Sequence, residues 1–122
     1  DYPEMKIVAQ QTGITRAEAL AAAQNMLQAN PDIQGIFGFG DDAALAAAVA
    51  VKSSKLQEKV KVIGFDGMKE ARDAVDSDPV MVGVIRQYPD KMGKEAIDTA
   101  VKVLTGEKVA KEQPIEPGVY TK

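Results

Sequence analysis

Cysteine, histidine and tryptophan are all absent from this 122-residue sequence. Without Cys or His there is no thiolate nucleophile, no Ser-His or Cys-His relay, and no usual ligand set for zinc or copper. Catalysis would have to run on carboxylates, lysines or an oxygen-bound metal, whereas a binding protein needs none of these. No disulfide can form, which suits an exported and a cytosolic protein equally. No apolar run approaches the roughly 20 residues of a membrane helix. No stretch reads as a signal peptide, so location must be argued on other grounds. Lys and Arg number 15 against 18 Asp and Glu, a net charge of −3 with a pI near 5.0. The basic residues form no stripe, so no nucleic-acid partner is expected.

What is present is ordinary for one globular domain: 45% hydrophobic and 27% charged residues. The stretch Val60-Lys61-Val62-Ile63-Gly64-Phe65-Asp66-Gly67 organises the rest. Its β-branched run is too short for a helix and reads as a strand buried on both faces of a parallel sheet. Around it, strand and helix patterns alternate. Met5–Ala9 reads as a first strand. Thr15-Arg16-Ala17-Glu18 reads as a capping box opening a helix with Ala19, Leu20, Ala23, Met26 and Leu27 inward, stopped at Asn30-Pro31. Ile33–Phe39 is a second strand, and an alanine-rich helix runs from Ala43 to about Lys52 with Asp41 as its expected cap. A short helix runs from the Asp66-Gly67 turn to about Asp76, followed by a strand at Val80–Ile85. Asp90–Leu104 carries a stripe of Met92, Ala96, Ile97, Ala100, Val101 and Leu104, closed by Gly106. The tail, with Pro114 and Pro117, is at best a broken edge strand. The fold class is therefore α/β, a doubly wound, mostly parallel sheet with flanking helices.

In such a sheet, ligands sit outside the carboxyl ends of the strands. Three strand exits there carry polar groups: Gly40-Asp41-Asp42, Asp66-Gly67 and Arg86-Gln87. Carboxylates accept from neighbouring hydroxyls, and an amide both donates and accepts, so the set suits a hydroxyl-rich ligand. Asp66 and Gln87 are the favoured site residues, and Asp42 reads first as a helix cap. A second reading takes Asp41, Asp42 and Asp66 as the magnesium pocket of a phospho-receiver. That reading wants the acidic pair after the first strand and a lysine where Arg86-Gln87 stands. No cofactor is implied.

Asn30-Pro31-Asp32-Ile33, Gly64-Phe65-Asp66-Gly67, Gln87-Tyr88-Pro89-Asp90 and Leu104-Thr105-Gly106-Glu107-Lys108 resemble the C-terminal part of type I periplasmic sugar-binding proteins. The pattern is closest to ribose-binding proteins of ABC importers, whose fold LacI-type repressors share. The likeness runs over essentially the whole chain. It implies that Asp66 and Gln87 bind sugar hydroxyls. Where the family often has Gln-Asn-Asp, this chain has Phe39-Gly40-Asp41; either Asp41 replaces the asparagine contact or the pocket suits a different ligand. Ile14 stands where ribose binders stack an aromatic on the sugar ring, and it cannot stack.

The resemblance further implies a fragment. Residues 1–87 correspond to a partial C-terminal sugar-binding lobe, and 88–122 to the hinge, a helix of the other lobe and the tail. A strand that belongs between residues 5–9 and 33–39 has no counterpart. The expected function is capture of a sugar or polyol for an ABC permease, without catalysis, in a periplasmic or extracellular setting. The alternative is the effector-binding core of a LacI-type repressor. A homodimer, or association with the missing N-terminal half, is expected from the surfaces left open.

Overall fold

The computed structural model describes residues 2–122; Asp1, the start of the polar lead-in, lies outside the described residues. The elements are α1 (Arg16–Ala29), β1 (Gly35–Phe37), α2 (Asp41–Ser53), β2 (Lys61–Asp66), α3 (Lys69–Ser77), β3 (Met81–Arg86), α4 (Pro89–Leu104) and β4 (Gly118–Thr121). They build one four-stranded sheet in the order β1-β2-β3-β4. The first three strands are parallel and β4 runs antiparallel to β3. The mostly parallel sheet with flanking helices is thus the fold that the alternation predicts.

The core lies between β2, β3 and α2. Val62, Val84, Ala44, Ala50 and Val51 are completely buried there, with Ala71 and Val75 of α3 beside them. Alanine dominates the inner side of α2 because the helix lies close on the strands: a β-carbon added at Gly64 would meet Ala44 Cβ at 3.1 Å. The expected capping box opens α1, Thr15 accepting from the Glu18 amide and Glu18 accepting from the Thr15 amide. That helix buries Ala19, Ala22, Ala23 and Leu27.

Of the two faces a doubly wound sheet covers, the described residues cover one with helices. Successive crossovers β1-α2-β2 and β2-α3-β3 step in the same direction, so right-handed connections place both helices on one face. Side chains alternate along a strand. Gly64 and Val84 therefore face α2, while Phe37, Ile63, Phe65, Ile85 and Val119, matched by register, face away. On that second face Phe37 is 56% and Val119 77% exposed.

Two expectations are corrected. Met5–Ala9 forms no strand, and Met5, Ile7 and Val8 stand exposed. A strand needs a ladder partner for its N–H and C=O groups, and among the described residues no strand pairs with this segment. For the same reason β1 shrinks to three residues at the sheet edge. The amphipathic helix at 89–104 forms as predicted, yet it buries none of its residues. The tail returns to pair β4 with β3, Gly118 opposite Arg86.

Candidate functional site

The carboxyl edge of the sheet is where β1, β2 and β3 hand over to α2, α3 and α4. Asp66 ends β2 with φ of 111°, a left-handed conformation that L side chains rarely adopt, and Gly67 follows at φ 77°. The double reversal turns the Asp66 carboxylate along the sheet edge instead of onto α3. The cap position of α3 is Met68, without a side-chain cap, so Asp66 is no helix cap. Gln87, one residue beyond β3, donates from Nε2 to Asp66 Oδ1 at 2.6 Å, and its backbone N–H donates to the Asp66 carbonyl at 2.9 Å. The two favoured site residues are therefore joined, both half-buried.

Asp41 is the first residue of α2, not its cap; Gly40 occupies the cap position with φ 126°. The Asp41 side chain is 2% exposed and reaches across to the β2–α3 turn, where Oδ2 accepts from the Met68 amide at 2.5 Å. Its Oδ1 is buried without a hydrogen-bond partner among the described residues. Burial, with the nearby Asp66 charge adding to it, pushes the Asp41 carboxyl above the usual carboxylate range, and the Met68 amide only partly offsets this. Asp42 points the other way, to Arg16 on α1. Arg16 also holds Glu70 at 3.0 Å, so one guanidinium ties together the starts of α1, α2 and α3. The Arg16 guanidinium holds the Glu70 carboxyl below its ordinary range. The acidic trio of the phospho-receiver reading does not converge: Asp41 is buried under an amide and Asp42 is taken by Arg16.

Asp66, Gly40, Asp41, Ile14, Phe39 and Met68 line a cleft of about 590 Å³ between the α1–α2 side and the sheet edge. Asp66 Oδ2 lies 3.8 Å from where a β-carbon on Gly40 would stand. Ile14 is 89% exposed at the rim. Gln87 is not part of the cleft wall and stands beside it through its bond to Asp66. Sequence reasoning missed two features here. Arg16 pairs with residues 26 and 54 positions away, for which the sequence carries no signal. All three phenylalanines meet at this edge: Phe39 stacks on Phe65 at 5.6 Å and Phe37 meets it edge-on at 6.5 Å. The strand pattern hinted at this, since all three sit at or next to strand ends.

Residues 1–108 match the periplasmic binding protein domain family. The chain belongs to that family. The ribose import binding protein of Escherichia coli is 36% identical over 110 residues, covering 90% of this chain and 36% of that protein. An ABC transporter periplasmic solute binding protein from Actinobacillus succinogenes, solved with bound D-allose, superposes with a TM-score of 0.88 at 36% identity, over 98% of this chain and 43% of that one. A carbohydrate transporter solute binding protein from Agrobacterium radiobacter, in complex with D-arabinose, gives a TM-score of 0.86 at 33% identity, over 99% of this chain and 41% of that one. This periplasmic-binding-protein chain thus spans between about a third and two fifths of the length of these relatives. Nothing among them favours a LacI-type repressor.

Proposed function

We propose that the chain is the ligand-facing part of a solute receptor that captures a sugar or polyol for an ABC importer. One observation carries this: the Asp66–Gln87 pair at the open sheet edge. Their mutual bond uses Asp66 Oδ1 and Gln87 Nε2 and leaves Asp66 Oδ2 and Gln87 Oε1 without a partner among the described residues. Two free acceptors on neighbouring strand exits, joined by that bond, suit neighbouring sugar hydroxyls. Each bond to the charged oxygen is worth about 1.5–3 kcal/mol in a dry site. The role of Asp41 in this reading is indirect: it braces the turn that presents Asp66. Gly40, lacking a side chain, leaves room beside Asp66, and Phe39 offers the aromatic face that Ile14 cannot.

In the intact receptor, residues 1–87 act as a partial lobe and 88–122 as the hinge, a helix of the second lobe and the tail. Lobe closure about Gln87-Tyr88-Pro89 buries the sugar, and the permease reads the closed form. The work is binding without bond chemistry, on the periplasmic or extracellular side of the membrane. Ligand-observed saturation-transfer NMR with ribose, allose, arabinose and allitol tests the reading on this chain. We expect weak transfer from sugars or polyols that Asp66→Ala removes. Transfer from none of them, or a spectral change produced by magnesium with beryllofluoride instead, would overturn it.

A further inference from the structure

We propose that the sugar taken at this edge ends in a methyl group, as a 6-deoxyhexose does, with the methyl seated on the Phe39 ring and neighbouring hydroxyls on Asp66. The inference rests on the sugar reading and narrows it. Its first support is the turn between β1 and α2, Gly38-Phe39-Gly40. The Gly40 N–H donates to the Gly38 carbonyl at 2.9 Å, closing a three-residue turn with Phe39 at its apex. Neither flank accommodates a side chain. A β-carbon on Gly38 would collide with the Ala44 backbone, and Gly40 holds φ at 126°. The turn therefore presents one side chain, the Phe39 ring. Phe65 backs that ring, stacked at 5.6 Å with the two planes 16° apart, and Phe37 meets Phe65 edge-on.

The second support is what surrounds the free oxygen of Asp66. Phe39, Gly40 and Met68 line the cleft beside it. Asp66 Oδ2 lies 3.8 Å from where a β-carbon on Gly40 would stand, so that flank offers no hydrogen-bonding side chain. The other two carboxylates of the cleft are engaged, Asp41 on the Met68 amide and Asp42 on Arg16. No lysine or arginine is among the described residues that line it. Apart from Gln11 and Thr12 ahead of α1, the rest of the wall is glycine, alanine and larger apolar side chains.

Together these set a preference. A hydroxyl laid over the ring gives up water and finds no partner there, which is unfavourable. A methyl group in the same place gives up nothing and gains contact with the aromatic surface. The hydroxymethyl end of an ordinary hexose is thus a poor match for this wall, and the methyl end of its 6-deoxy counterpart a good one. The departures from the family pattern at Phe39 and Gly40 act together: the ring supplies the apolar seat, and the glycine leaves it without a polar neighbour.

Amide shifts of the labelled 122-residue chain, titrated with D-fucose against D-galactose and with L-rhamnose against L-mannose, read the preference. Each pair differs only in a methyl for a hydroxymethyl group. We expect the 6-deoxy member of a pair to bind about three- to tenfold more tightly, from burial of the methyl on the ring. The Phe39 and Gly40 amides should be among those that shift. Phe39→Gln gives a hydroxyl a partner and should bring the ratio to one or below. Far-UV circular dichroism checks that this variant is folded; if it is not, Phe39→Ser takes its place with the same expectation. Equal or tighter binding of the hydroxymethyl member would overturn the inference, as would a ratio that the Phe39 variant leaves unchanged. Saturable binding of D-ribose or D-arabinose with neither hexose pair would overturn it too, while leaving the sugar reading in place. Binding of no sugar at all would overturn both.

Discussion

At Asp66 the backbone and the side chain make opposite demands, and two substitutions separate them. A non-glycine residue on the left-handed side costs about 1–3 kcal/mol, and Asp66 sits there at φ 111°. Asp66→Ala keeps that strain and loses the bond from Gln87 Nε2. Because Gln87 is half-exposed and can turn to water, the loss is about 1 kcal/mol. Asp66→Gly loses the same bond but releases the strain, at a backbone-entropy cost of about 0.5–1 kcal/mol. The bond cancels in the comparison, leaving the glycine variant more stable than the alanine variant by about 1 kcal/mol, and by at most about 2.5. At this chain length each kcal/mol moves the melting temperature by about 4 °C, so thermal denaturation resolves the two. At an unstrained strand position the order is reversed, with alanine ahead. Equal midpoints, or alanine ahead, would refute the strain. Neither variant should retain sugar binding, so Asp66→Gly is expected to stay within about 1 kcal/mol of the wild-type stability while it loses function.

Three further outcomes follow. The Asp41 carboxyl is raised in the folded state, so the native chain holds its proton more tightly than the unfolded one. That contribution to stability is fully present below the ordinary aspartate range near about pH 4 and is lost as pH rises through the native value. Asp41→Asn should remove this decline in melting curves taken from pH 3.5 to 7, while Asp41→Ala should be less stable throughout because the Met68 amide loses its acceptor. Gly64→Ala brings a β-carbon within 3.1 Å of both Asp41 Oδ1 and Ala44 Cβ and should cost about 1–3 kcal/mol in urea unfolding by overpacking. Arg16→Ala opens exposed ion pairs, so it should cost under about 1 kcal/mol and the difference should fade in ~1 M salt.

The sequence is most legible where short-range chemistry decides the structure. The Thr15–Glu18 box, the Val/Ile run of β2 and the stripe of α4 each carry their cause within a few residues, and each forms. Asp66 and Gln87 were legible as strand exits because a parallel sheet brings its carboxyl ends to one edge. What the sequence could not disclose depends on partners distant along the chain or missing from it. Met5–Ala9 has the composition of a strand, but composition supplies no ladder partner. Asp41 reads as a cap because Asp is favoured at helix starts; its carboxylate instead crosses 27 positions to Met68, a contact set by how α2 lies on β2. The Arg16 bridge is of the same kind, and so is the bare second face, since a strand buried on both faces and one buried on a single face share the same apolar run.

The central claim, that this sheet edge is part of a sugar site, is tested most directly by residue-resolved amide shifts of the labelled chain during titration with D-ribose, D-allose and D-arabinose. Part of a site exposed to water should bind weakly, in the millimolar range, since each hydrogen bond competes with solvent at a net gain of only about 1 kcal/mol. Saturable shifts are expected for Gly40, Asp41, Asp66, Gly67 and Gln87, absent in Asp66→Gly. Shifts confined to the groove between α4 and residues 109–115, or a response that Asp66→Gly leaves unchanged, would contradict it.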